Sequence, residues 1–192
     1  MKLPHKPLVK PLVLKGLVNG QLDKTLLAPV KCGGKMLKVA AEAFNDMYAH
    51  AKTDGITFRN IGDYRSYDAQ LAMFLDRYDT KDEGRKPQVT RTYEGKTWYL
   101  KKGKSPSATP DPTGARGSNH GWGLAIDIAA EGKNGEIVSI GAHKKAYSWL
   151  LVNACQYGFY MQTANDKSPE FEAWHWQYCE GDAKPPYKQV VA

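Results

Sequence analysis

The amino-acid sequence predicts an α+β fold. Three segments with helical periodicity are interspersed with short strands, and these never settle into the regular β–α–β alternation of a parallel sheet. The chain has 192 residues, 42% of them apolar, which suits one domain with a sizeable core. An N-terminal arm is predicted over residues 1–18, the folded body over 19–182 and a C-terminal tail over 183–192.

Residues 1–20 are rich in Pro and Lys, and Pro4, Pro7 and Pro11 interrupt any regular run, so the arm is read as extended. Leu12, Val13, Leu14, Leu17 and Val18 are expected to lie against the body. From Met36 to Lys52 the pattern is helical: Met36, Leu37, Ala40, Phe44, Met47, Tyr48 and Ala51 share one stripe, and Asp54-Gly55 is a stop signal. Residues 56–61 read as a short strand with Ile56, Phe58 and Ile61 inward. Ser66 is placed to cap a second helix over Tyr67–Tyr78, with Asp68 complementing the dipole of its first turn. Val89–Tyr93 and Thr97–Lys101 flank Glu94-Gly95-Lys96 and predict a hairpin. Residues 102–117, rich in Pro, Ser, Gly and Lys, predict a long mobile loop of the kind that faces a substrate.

Leu124–Ala129 is the clearest strand. Leu124, Ile126 and Ile128 point one way, Ala125, Asp127 and Ala129 the other. Ala142–Tyr157 is helical, with Ala146, Trp149, Leu150, Asn153 and Ala154 at helical spacing and Gly158 as its stop. Short strands are predicted over 159–162 and 174–178.

Lys and Arg outnumber Asp and Glu by 27 to 20, a formal charge of +7. Such a chain is attracted to anionic partners: nucleic acid, anionic lipid or an acidic cell wall. The basic residues are scattered and no nucleic-acid-binding motif is present, so a nucleic-acid partner is not expected. Cys32, Cys155 and Cys179 are odd in number and include no C-x-x-C pair. That argues against a cysteine-based zinc site and for synthesis in a reducing compartment. No signal peptide is read in residues 1–18, and no segment reaches the roughly 20 apolar residues of a membrane span. Synthesis in the cytoplasm is the expectation, whatever the final site of action.

The candidate chemistry lies in Ser118-Asn-His120-Gly-Trp-Gly-Leu-Ala-Ile-Asp127 and Glu172-Ala-Trp-His175-Trp176. Two imidazoles and one carboxylate, His120, Asp127 and His175, are a ligand set suited to Zn²⁺, and three protein ligands leave the fourth position that catalytic zinc requires. Gly121 and Gly123 allow a tight turn that returns His120 beside Asp127. Glu172 is the candidate to take a proton from water. It has the opposite strand parity to His175, so it must lie in a preceding loop, or the backbone must bend near Ala173. Taken singly, each histidine also fits an ordinary structural role, with Trp174-His175-Trp176 an aromatic strand. A carboxylate in an apolar strand is harder to accommodate without a partner.

The string Ser118-x-His120-x-x-Gly123-x-Ala125-x-Asp127, followed by Glu172-x-Trp174-His175, resembles the zinc D-Ala-D-Ala carboxypeptidase and L-Ala-D-Glu endopeptidase family, which includes vancomycin-resistance carboxypeptidases and dipeptidases and bacteriophage endolysins. Tyr64-Arg65-Ser66-Tyr67-Asp68-Ala69-Gln70 is similar to the family's Tyr-Arg-Ser-x-x-x-Gln segment. Asn19-Gly20-Gln21-Leu22 resembles the stretch before the first helix in actinobacterial and phage members. The resemblance spans roughly residues 17 to 180. It implies a fold shared with the Hedgehog signalling domain, a central antiparallel sheet with flanking helices. By the same resemblance His120, Asp127 and His175 bind Zn²⁺, Glu172 is the catalytic base, Arg65 polarises the substrate carbonyl, and Ser118 and Gln70 are substrate-binding. The implied activity is hydrolysis of the peptide stem of bacterial peptidoglycan, as L-Ala-D-Glu endopeptidase or D-Ala-D-Ala carboxypeptidase. A phage endolysin is expected, monomeric, made in the host cytoplasm and acting on the cell wall. The alternatives are a cytoplasmic D-Ala-D-Ala dipeptidase and a non-catalytic, zinc-bearing wall-binding module. The connection from Asp79 to Arg116 is longer than in many members.

Overall fold

The structure is a computed structural model and describes residues 3–168, 171–183 and 185. Most of the predicted tail, 183–192, lies outside the described residues. In chain order the regular elements are β1 (Leu27–Pro29), β2 (Lys35–Leu37), α1 (Lys38–Thr53), β3 (Phe58–Gly62), α2 (Tyr67–Arg77), β4 (Tyr78–Asp79), β5 (Thr90–Tyr93), β6 (Lys96–Leu100), β7 (Ala125–Glu131), β8 (Ile137–Ser139), α3 (Lys144–Asn153), β9 (Phe159–Met161) and β10 (His175–Tyr178).

The central sheet runs β3-β7-β10-β9, with β8 added to β7, and every pairing in it is antiparallel. The predicted mixed α+β class is the one observed. Leu124, Ile126 and Ile128 are fully buried in the main core with Phe44, Phe58, Leu150, Phe159 and Trp176. Helices cover this face: Phe44 of α1 meets Phe159 edge-on at 5.8 Å, and Trp149 of α3 meets Phe58 at 5.9 Å. Alternation then sends Asp127 to the uncovered face.

The longer connection folds as a small lobe on α2. Strands β4, β6 and β5 form a second antiparallel sheet, as the hairpin pattern predicted. Its core is Phe74, Tyr78 and Leu100, with Tyr93 and Trp98 packed around them. Residues 102–117 form no regular element, but they are not a free-standing loop. Side chains hold successive carbonyls: Arg77 donates to Pro106, Tyr78 and Arg91 to Ser107, and Gln70 to Ala108.

Three details differ from the sequence reading. The first helix begins at Lys38 rather than Met36, because 35–37 pairs with 27–29 and Leu37 N–H bonds the Gly123 carbonyl at 2.9 Å. Ile61 faces solvent, because β3 bulges between Asn60 and Gly62. In the arm, only Leu14 of the five expected contacts is buried, joined by Leu3; Leu12, Val13, Leu17 and Val18 are exposed. The arm is tied down instead by backbone, with His5 and Val9 bridging Met161 and Glu180.

Candidate metal centre

The site rests on the antiparallel register of β7 and β10, which makes His175 the direct cross-strand partner of Asp127. Cross-strand partners on one face stand close enough for their side chains to interact. His175 Nδ1 lies 3.0 Å from Asp127 Oδ1. His120 arrives from a 3₁₀ turn, Asn119–Trp122, whose first turn is capped by the Ser118 hydroxyl and which ends at Gly123 in the left-handed conformation (φ 64°). That turn brings His120 Nε2 to 3.3 Å from the same Asp127 oxygen. Among the described residues, these three offer ligand atoms all within 4.8 Å of one another.

The donor set fits zinc. Tetrahedral ligands with bonds of about 2 Å stand on the order of 3.3 Å apart, and the two closest separations match that spacing. His120 Nδ1 faces the Asp63 carbonyl at 2.8 Å. With Nδ1–H donating there, Nε2 carries the lone pair that a metal needs. Burial lowers the His120 pKa, which favours the neutral, ligating form. Burial works to raise the Asp127 carboxyl, but the His120 and His175 imidazoles beside it outweigh burial and hold the group well below the usual carboxylate range. His120 and Asp127 are thus both shifted toward the form that binds a metal.

Glu172 lies in the turn before β10, where its carbonyl accepts from His175 N–H at 3.1 Å. This is the loop placement that the parity argument required. Burial raises its carboxyl, with the Asp127 charge adding to the rise and His175, Arg77 and Arg65 opposing it. A raised carboxyl is a stronger base than an ordinary glutamate when ionised.

Arg65 is held to the same turn as His120, its N–H donating to the His120 carbonyl at 3.1 Å. Its guanidinium is desolvated, with Asp127, Glu172 and Asp63 as its acidic neighbours. Arg65 Nη1 donates to Gln70 Oε1 at 3.1 Å, and Gln70 Nε2 donates to the Ala108 carbonyl at 2.8 Å. Gln70 is buried, so the structure sets it behind Arg65, linking that arginine to the 102–117 segment. Ser118 Oγ accepts from His120 N–H at 3.3 Å, which sets it under the ligand turn.

Several supporting residues had no functional role assigned from the sequence. Asp63 acts through its backbone carbonyl, which no side-chain motif reveals. Gly62 stands directly against Asp127: a Cβ there would fall 2.6 Å from Oδ2. Asn19, buried, donates to the Ser118 carbonyl at 3.1 Å and fills the space a side chain at Gly121 would need. The following residue, Gly20, donates to the Gly121 carbonyl and accepts from Tyr67 N–H. Asn19-Gly20 therefore braces the ligand turn against the start of α2, and the sequence pattern around it was visible beforehand. Of the remaining histidines, His50 meets the Tyr157 hydroxyl and His143 caps α3, both structural roles.

The fold has counterparts among solved peptidase structures. A solved LdcB LD-carboxypeptidase, described as revealing the molecular basis of peptidoglycan recognition, is 25% identical with a TM-score of 0.57, covering 85% of this chain and 75% of its own. A mutant of the vancomycin-resistance D,D-pentapeptidase VanY in complex with Zn(II) shares the fold at 20% identity and a TM-score of 0.56, over 90% of this chain and 86% of that one. VanYB in complex with D-alanine-D-alanine gives 20% and 0.57, over 90% and 84%. The chain itself belongs to the VanY D-alanyl-D-alanine carboxypeptidase family, whose pattern it matches over residues 33–181. A curated relative, the putative carboxypeptidase YodJ of Bacillus subtilis (strain 168), is 28% identical over 145 residues, 73% of this chain. The chain covers 45% of that relative's length.

Proposed function

We propose that this peptidase-family protein is a zinc-dependent D,D-carboxypeptidase that removes the terminal D-Ala from the peptide stem of peptidoglycan. The observation that carries the reading is the convergence of three donor atoms on one face of the sheet, with Glu172 and Arg65 beside them. His120 through Nε2, Asp127 through Oδ1 and His175 through Nδ1 are the residues that would hold the ion. Zinc bound there supplies Lewis acidity, acidifying water and polarising a peptide carbonyl.

The chain's own residues do the rest. Glu172 accepts a proton from water on its carboxylate and returns it to the departing amine. Arg65, fixed through its backbone to the ligand turn and through its guanidinium to Gln70, stabilises negative charge growing on the carbonyl oxygen. The lobe built from residues 78–117 braces Arg65 through the Gln70–Ala108 contact. Carboxypeptidase action is favoured over the endopeptidase and phage-lysis reading because the family is a D-alanyl-D-alanine carboxypeptidase family and both YodJ and LdcB are named carboxypeptidases. The protein is proposed to act as a monomer on the cell wall.

Mass spectrometry of purified peptidoglycan, after incubation with zinc-loaded and with chelator-stripped protein, tests this. Zinc-dependent loss of terminal D-Ala is the expected result. New N-terminal D-Glu or D-isoglutamine would instead establish the endopeptidase, and with it the lytic reading. No zinc-dependent change in any wall chemotype would overturn the enzymatic assignment.

A further inference from the structure

Of the five apolar arm residues expected to lie against the body, only Leu14 is buried. Among the described residues ten large apolar side chains are exposed, and five of them fall within residues 9–18: Val9 (52%), Leu12 (76%), Val13 (49%), Leu17 (39%) and Val18 (37%). The local backbone explains how they cluster. Residues 12–14 form a 3₁₀ turn, in which successive side chains point about 120° apart, so burying Leu14 turns Leu12 and Val13 outward. Leu17 N–H then bonds the Leu14 carbonyl, folding the chain back so that Leu17 and Val18 follow directly. The turn is anchored at its base, where Leu12 N–H donates to Asp182 Oδ2 at 2.8 Å. It is a fixed apolar projection, not a loose end.

Charge says what it fits. Residues 1–22 contain Lys2, Lys6, Lys10 and Lys15 and no acidic residue. Lys15 is exposed at the tip. Lys10 Nζ sits 4.1 Å over the Trp122 ring, and Lys6 pairs with Glu180. The nearby carboxylates are engaged locally, Asp182 with Leu12 N–H and Asp23 with Thr25. An exposed apolar tip carrying Lys15, on an arm whose sequence has four lysines and no acidic residue, is the chemistry of a segment that lies in the interface of an anionic bilayer. A purely charged polymer would find no use for Leu12 and Val13, and neither residue is among the zinc ligands or the residues that brace them.

We propose that residues 9–18 are a membrane-surface docking element that inserts Leu12, Val13, Leu17 and Val18 among the headgroups of an anionic lipid bilayer. The test is co-sedimentation of the full chain with large vesicles of phosphatidylglycerol and phosphatidylcholine, against vesicles of phosphatidylcholine alone. Wild type should pellet with the anionic vesicles, and the double substitution Leu12→Ser with Val13→Ser should weaken binding by about tenfold. Leu17→Ser with Val18→Ser is the second pair, should the first fail to fold, and Lys15→Glu should shift binding to lower salt. All variants should hydrolyse a soluble substrate at the wild-type rate. Three results would overturn the proposal: no pelleting with anionic vesicles, equal pelleting with neutral ones, or binding that salt abolishes and neither serine pair alters. The last would assign the attraction to charge alone.

Discussion

Gly62 and Asp127 face each other across β3 and β7 at a separation that leaves no room for a methyl group, since a Cβ at residue 62 would fall 2.6 Å from Asp127 Oδ2. The bulge after Asn60 puts the glycine there by shifting the register of β3 by one residue. The carboxylate that both histidines face is therefore positioned by the absence of a side chain. Gly62→Ala should push Asp127 out of line with His120 and His175 and weaken zinc binding by about 10- to 100-fold. Competition against a fluorescent chelator measures it; wild-type affinity would show that the strand yields without disturbing the carboxylate.

The Arg65–Gln70–Ala108 chain of hydrogen bonds predicts a loss in rate without a loss of metal. Gln70→Ala should lower kcat by about tenfold, because the guanidinium is no longer held. Arg65→Lys should lower it by about 100-fold, since an ammonium lacks the planar fork. Zinc content of both proteins, read by atomic absorption, should match wild type. If kcat is unchanged in both, Arg65 is not the oxyanion partner.

Glu172 and His175 are separable despite their closeness in sequence. Glu172→Ala should keep a full complement of zinc while turnover falls by about 100-fold or more. His175→Ala should lose the metal along with activity. Full activity in the first variant would remove Glu172 from the mechanism, and unchanged zinc in the second would remove His175 from the ligand set.

Stability should fail on the alkaline side. Burial pushes the Cys32 and Cys179 thiols up to about 12 from an ordinary 9.0. Burial likewise pushes the Tyr160 and Tyr178 phenols up to about 12 from 10.0. The unfolded chain gives up these protons at lower pH than the folded one. Their contribution is therefore whole below pH 9.0 and drains away between there and about 12. Urea midpoints measured across that range should fall with rising pH. A flat profile would mean that these groups ionise as freely in the folded protein as in the unfolded one.

Much of the site was legible because its signals are local. Asp127 declared itself as the one charged residue in an apolar strand whose alternation fixes its face. His120 stood a glycine-bounded turn away, and the opposite parity of Glu172 and His175 required either a bend near Ala173 or a place for Glu172 in the preceding loop, and Glu172 does lie before β10. Ser66 was readable as a cap, and its hydroxyl does accept from Ala69 N–H. These inferences need only periodicity, capping and turn chemistry, which neighbouring residues determine.

Long-range geometry was not legible. Alternation says which face Asp127 occupies but not which strand lies beside it, and only the packed sheet brings in His175 from 48 residues away. The Asp63 carbonyl, which orients His120, is a backbone group that every residue possesses. The pinning of residues 102–117 depends on donors from α2, β4 and β5 that no loop composition announces. The arm shows the same division. Its sequence determined a proline-broken, lysine-rich, apolar segment, whereas burial is a property of surfaces that meet, and the body offers a pocket for Leu14 and none for Leu12, Val13, Leu17 or Val18.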